Sequence, residues 1–121
     1  MGMVVHVDNS DFFRKLVKTF LGGFGHESFG FSRGEDALDK IMANEVDYVI
    51  TGLELADMSG EDFIKKLLLY SDTVPIIVIT AKDDGAQNAH LLDLGVKAII
   101  KKSGDWKVEL KQQLANIIAE E

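Results

Sequence analysis

The run Pro75-Ile76-Ile77-Val78-Ile79-Thr80 constrains the fold more than any other stretch of this chain. A strand with one wet face alternates apolar and polar residues, whereas an unbroken β-branched run suits a strand covered on both faces, as in parallel sheets. Similar short apolar runs recur at Met3 to Val7, Tyr48 to Thr51 and Ala98-Ile99-Ile100. Ser28 to Phe31 is a weaker one, and Gly30 within it predicts a place at the edge of the sheet.

Between these runs the hydrophobic period lengthens to that of a helix. Phe13, Leu16, Val17, Phe20 and Leu21 share one face, and Gly22, Gly23 and Gly25 end that helix. A second helix, with Ser32 or Gly34 near its start, turns Ala37, Leu38, Ile41 and Met42 inward. A third follows Gly60 and buries Phe63, Ile64, Leu67 and Leu68. The fourth, about Ala86 to Leu94, has a thin apolar face. The last starts near Gly104 or Asp105 and turns Leu110, Leu114, Ile117 and Ile118 inward.

Five strands alternating with five helices predict an α/β fold with right-handed crossovers and helices on both faces of a parallel sheet. With no glycine fingerprint for dinucleotides, the expected architecture is flavodoxin-like: three αβα layers and strand order 2-1-3-4-5, in a single domain over 1–121. Ligands in such sheets sit at the carboxyl ends of the strands, by the switch between strands one and three. That topology gathers Asp8, Asn9, Gly52, Thr80 and Lys102 around one crevice.

Composition narrows the function further. Hydrophobic residues make up 46% and charged residues 27%, an ordinary globular mixture. The net charge of −7 argues against broad contact with nucleic-acid phosphates and suits a protein that meets other proteins. The absence of cysteine excludes disulfides and thiolate chemistry and fits a cytoplasmic setting. No apolar run approaches the roughly 18 residues that span a bilayer, and a secretory leader is not expected at the N-terminus. Gly22-Gly23-Phe24-Gly25 follows a helix, whereas a phosphate loop precedes one. His6 is expected to be a hydrogen-bonded core residue, and His26 and His90 are too far apart in sequence to suggest a metal cluster.

Asp8-Asn9 after strand one, Gly52 after strand three, the turn Met58-Ser59-Gly60, Thr80-Ala81 after strand four and Lys102 seven residues after Gly95 resemble the receiver domain of two-component response regulators. The resemblance covers nearly all 121 residues. It implies phosphoryl transfer to an aspartate at the end of strand three, with Mg2+ held by an acid pair and that aspartate, and with a hydroxyl and a lysine to complete the pocket. Here Gly52 stands at the acceptor position and Asn9 at the second acid. Ser103 and Ala56 replace frequent prolines, and Ile99 replaces a switch aromatic. Two of three carboxylates are gone, which removes repulsion on the order of a few kcal/mol per close pair at an effective dielectric near 20. Lys102 is then expected to pair with Asp8, and Mg2+ binding to be lost or very weak.

The expected function is phosphorelay signalling by a phosphorylation-independent, non-enzymatic interaction module. The resemblance implies a protein partner (a histidine kinase, an output domain or a second copy) on the face of helix four, strand five and helix five. Lys97, Lys101, Lys107 and Lys111 make that face basic. Trp106 reads equally as an anchor there or as packing over the last helix. Two rivals stay open: phosphorylation of Thr51, Ser59 or Asp57 instead, or a small ligand in the vacated crevice. Glu54 is a candidate fixed anion leaning into that space, while Asp57, Asp83 and Asp84 read as caps or solvated charges.

Overall fold

The computed structural model describes residues 2–120, with side chains described as far as Ile117. Strands and helices alternate without interruption: β1 (Met3–Val7), α1 (Asp11–Gly22), β2 (Glu27–Phe31), α2 (Gly34–Ala43), β3 (Tyr48–Thr51), α3 (Gly60–Tyr70), β4 (Ile76–Thr80), α4 (Gly85–Leu94), β5 (Ala98–Lys101) and α5 (Trp106–Glu120). All neighbours in the sheet are parallel, in the order β2-β1-β3-β4-β5. This is the flavodoxin-like arrangement, and Gly30 does lie in an edge strand.

The sheet divides the core in two. On one face Val5, Val7, Val49, Ile76 and Val78 pack against α2, α3 and Leu91 of α4. On the other, Val4, Ile50, Ile77, Ile79 and Ile100 pack against α1 and α5. Every residue of β4 is buried, as its unbroken β-branched sequence requires. The helices form where their apolar stripes meet these faces, and local caps set their starts. Ser10 accepts from the Phe13 N–H, Ser59 from Asp62 and Asp84 from Gln87. Gly95 ends α4 at φ 116, a left-handed conformation that favours glycine.

Some boundaries and faces differ from the sequence reading. Strand β2 begins one residue earlier, at Glu27, and α5 begins at Trp106, after the turn through Gly104 and Asp105. Met42 is 51% exposed at the end of α2, although Ile41 before it is buried, and Leu68 is half-buried at the margin of the core. Ile118 lies outside the residues whose side chains are described.

The turn into α3 is the tightest approach of backbone to backbone at the carboxyl end of the sheet. The Gly60 N–H donates to the Leu53 carbonyl at 2.9 Å. A Cβ at Gly60 would collide with the Gly52 carbonyl and come within 2.7 Å of the Leu53 Cα. Both obstacles are main chain, so relief requires the loop after β3 to move. Gly60→Ala is expected to destabilise the fold by about 3 kcal/mol, the upper range for overpacking. Urea unfolding checks this, and a loss under about 1 kcal/mol contradicts the close packing.

Candidate functional site

Parallel register brings the ends of β1 and β3 side by side, with Val7 opposite Thr51, so Asp8 and Gly52 leave the sheet together. The Gly52 N–H donates to the Val7 carbonyl at 2.8 Å, and the Asp8 N–H donates to the Phe31 carbonyl at 3.0 Å. Asp8 is thereby fixed between its neighbours on both sides. Its carboxylate is 3% exposed. Oδ1 accepts from the Ser10 N–H at 2.8 Å, and the Arg14 guanidinium donates to the Asp8 carbonyl at 2.6 Å.

Lys102 reaches the same carboxylate from β5's end. Its N–H donates to the Thr80 carbonyl at 2.8 Å, which carries the β4–β5 pairing one residue further. Its Nζ lies 2.9 Å from Asp8 Oδ2 and 4.5 Å from the centre of the Phe13 ring. The approach to Oδ2 is close but not aligned as a hydrogen bond, so the attraction is that of an ion pair. Asp8 Oδ2 also lies where a larger residue at 52 would begin, since a Cβ there would be only 2.7 Å away. The carboxylate fills the side-chain space beside Gly52.

A crevice of about 260 Å3 remains, lined by Asp8, Asn9, Thr80, Lys82, Lys102 and Glu54 among others. Topology therefore unites Asp8, Asn9, Thr80 and Lys102 in one lining, with Gly52 directly behind Asp8. Asn9 is exposed at the rim. Thr80 is buried, and its Oγ1 accepts from the Lys82 N–H at 3.1 Å. Glu54 borders the crevice, as expected, but as a paired charge. It pairs at 3.0 Å with Lys82, and both side chains are mostly exposed, so the pair contributes little. Ile99 is half-buried against the core on the α2–α3 face.

The other oxygen-bearing candidates are engaged in holding the fold. Thr51 is fully buried, and its hydroxyl donates to the Gly52 carbonyl at 2.8 Å. Ser59 caps α3. Asp57 accepts from the Gly34 N–H at 2.7 Å and the Glu35 N–H at 3.1 Å, capping α2 from more than twenty residues away. Partial burial pushes its carboxyl up, but the N–H groups of Glu35, Gly34 and Asp57 itself, helped by Arg33, hold it below the usual range. Arg14 was not singled out from sequence, and Asp57 read as a cap or solvated charge without the identity of the distant helix it caps. An arginine one turn into α1 was the only available signal for the first; that identity has none.

His6 departs from its expected hydrogen-bonded state. It is buried beneath α1, edge-on to Phe13 with ring centroids 5.9 Å apart, and neither ring nitrogen has a partner among the described residues. Burial is the largest influence on it and pushes its pKa down to about 4. Asp8 opposes that shift, while Lys102 and Arg14 add to it. Trp106 is also buried, edge-on to Phe13 at 5.1 Å and Phe20 at 5.5 Å, so it packs α5 onto α1 and is not a surface anchor. His26 precedes β2, and His90 lies 3.4 Å from Glu61 on the α3–α4 side. No group of three or more His, Asp or Glu residues is placed to share a metal ion among the described residues.

This fold is that of a receiver, and comparison with known proteins agrees. Residues 4–115 match the family described as response regulator receiver domain, and the chain belongs to that family. It is 26% identical over 113 residues to the sensor histidine kinase RcsC of Salmonella typhimurium, matching 93% of this chain but 12% of that protein. It is 34% identical to a protein-glutamate methylesterase/protein-glutamine glutaminase of Halalkalibacterium halodurans, covering 90% of this chain and 33% of the relative. The chain thus spans only a fraction of these relatives' length. The chemotaxis response regulator CheY4 of Vibrio cholerae superposes with a TM-score of 0.86, covering 97% of this chain and 98% of the other at 24% identity. Among the described residues no helix is long and apolar enough to cross a membrane.

Two measurements test this geometry. Removing one member of a buried ion pair strands the other, so Lys102→Met and Asp8→Asn are each expected to destabilise, with a coupling of about 1–3 kcal/mol in a double-mutant cycle. A coupling near zero contradicts the pairing. For His6, a folded-state pKa of about 4 against an ordinary 6.5 means the unfolded chain binds the proton first as pH falls. His6 therefore costs no stability above pH 6.5, and its penalty grows between 6.5 and 4, reaching roughly 2–3 kcal/mol at pH 4.5. His6→Leu is expected to flatten that part of the stability–pH curve in urea titrations. An unchanged slope contradicts a neutral, unbonded imidazole.

Proposed function

We infer that this receiver domain signals without phosphorylation, as an interaction module whose pocket has become a structural joint. The observation that supports this most directly is the Asp8 carboxylate beside Gly52, with one oxygen at the Ser10 N–H and the other at Lys102. Phosphoryl transfer to a receiver calls for a carboxylate acceptor and a divalent cation, and Mg2+ favours several hard anionic oxygens. The crevice offers one acid, already engaged on both oxygens, a neutral amide at Asn9 and no side chain at position 52. These residues do not fit the ion.

Thr51, Ser59 and Asp57 are poor substitutes for an acceptor. Thr51 is sealed from solvent, and the other two hold the starts of α3 and α2. Phosphorylating either would cost a cap of about 1 kcal/mol before any signal was gained.

Partners of a receiver include histidine kinases, output domains and further receivers, and the reading places such a contact on α4, β5 and α5. With Trp106 buried, the exposed large apolar side chains on that side among the described residues are Leu92 and Val108, both at least half exposed, with Lys101 and Lys107 nearby in sequence. Control would come from the amount of protein or from a covalently joined domain.

Incubation with acetyl phosphate and Mg2+ followed by intact mass is expected to leave the mass unchanged. A gain of one phosphoryl group that requires both Mg2+ and Asp8 contradicts the proposal. The converse variant, Gly52→Asp with Asn9→Asp, is expected to gain a Mg2+ response in Trp106 fluorescence, because a side chain at 52 forces Asp8 off Lys102. A well-folded double variant with no Mg2+ response shows that the pocket has been misassigned.

A further inference from the structure

The free edge of β2 carries a pattern that fits a second copy of the same edge. The Glu27 N–H donates to the Gly2 carbonyl, and the Phe31 carbonyl accepts from the Asp8 N–H. Register along β1 runs from Met3 with Glu27 to Val7 with Phe31. In a parallel ladder the residues that bond to a given neighbour alternate, so Glu27, Phe29 and Phe31 face β1. The main-chain groups of Ser28 and Gly30 therefore point away from the sheet. An open groove of about 640 Å3 follows this edge, floored by β2 and walled by Lys18 and Gly22 of α1.

Gly30 has no evident internal reason to be glycine. Its backbone is not left-handed, and a Cβ there would meet the Arg14 side chain at an ordinary 3.4 Å. Glycine inside a strand costs about 0.5–1 kcal/mol, and it recurs where another backbone approaches closely.

Charge completes the pattern. Glu27, Phe29 and Phe31 lie on the α2 face of the strand, where Lys40 holds its ammonium 3.9 Å from the centre of the Phe29 ring. Neither Glu27 nor Lys40 forms an ion pair with any described residue, although many other charges on this surface do. An antiparallel partner strand centred on Phe29 would set Ser28 opposite Gly30 twice, a pair of hydrogen-bonded positions that uses all four outward N–H groups and carbonyls. It would also set Glu27 opposite the partner's Phe31 and diagonal to the partner's Phe29, beneath that copy's Lys40. Diagonal neighbours across a strand pair are within reach of long side chains. The two-fold axis makes the contact twice and offsets the approach of the two lysines.

We propose that β2 is a self-complementary edge through which two copies join their sheets, antiparallel and centred on Phe29, with Glu27 of each copy paired to Lys40 of the other. The proposal is independent of the state of the crevice, which lies at the ends of the strands.

Sedimentation equilibrium of the whole chain from micromolar to millimolar concentration tests it. The protein is expected to show a concentration-dependent dimer. Glu27→Lys and Lys40→Glu should each weaken it by about tenfold or more, since symmetry counts every change twice. The doubly reversed variant should recover to within about threefold of the original. Gly30→Pro should abolish association while keeping the far-ultraviolet dichroism of the folded chain, because proline is tolerated on edge strands but cannot donate outward. If that variant fails to fold, the charge series decides alone. A chain that stays monomeric throughout overturns the proposal, even where it captures an unrelated extended peptide. So does a dimer indifferent to Glu27→Lys, or single losses that the reversal does not repair.

Discussion

One ion pair ties together the end of the sheet where receivers do their chemistry. Asp8 leaves β1 and Lys102 leaves β5, on opposite sides of β3 and β4, and their side chains meet 2.9 Å apart. The join lies beside Gly52 and spans the ends of β3 and β4. Such a pair repays its desolvation only if the remaining polar atoms are satisfied. The Ser10 N–H on Oδ1 and the Phe13 ring beneath the ammonium supply much of that. A cluster of carboxylates in this position would need a cation to be tolerated, whereas one carboxylate and one lysine balance each other.

The surrounding polar residues follow from that balance. Thr80 accepts from the Lys82 N–H, Asp57 is held by the start of α2, and Ser59 by the start of α3. His6, two residues before Asp8 and on the same side of β1, is kept neutral first by burial, with Lys102 and Arg14 adding to that and Asp8 opposing it. Around the crevice the hydroxyls of Thr51 and Thr80 and the Asp8 carboxylate are engaged by neighbours, whereas among the described residues the His6 nitrogens have no partner and β2 lies at the edge of the sheet.

Much of this was legible in the residues before any coordinates. The β-branched run at Ile76 to Thr80 implied a doubly covered strand, and the glycine in β2 marked an edge. Strand order then gathered Asp8, Asn9, Thr80 and Lys102 without reference to any relative. What escaped was set by tertiary placement. Periodicity alone turned Met42 inward, but it is half exposed at the end of α2. Trp106 could face either way until α5 was seen to lie along Phe13 and Phe20. Nothing local to Asp57 announces that its carboxylate caps a helix that begins at Gly34. His6 was legible as buried, but its lack of a hydrogen bond depends on what α1 brings above it.

On the proposed reading, the crevice beside Gly52 neither gathers a divalent ion nor accepts a phosphoryl group. Amide chemical shifts of Asp8, Gly52, Thr80 and Lys102 followed through a titration with Mg2+ and beryllofluoride test it most directly. The account predicts no saturable movement at these four positions. Coordinated, saturating shifts centred on them would contradict it.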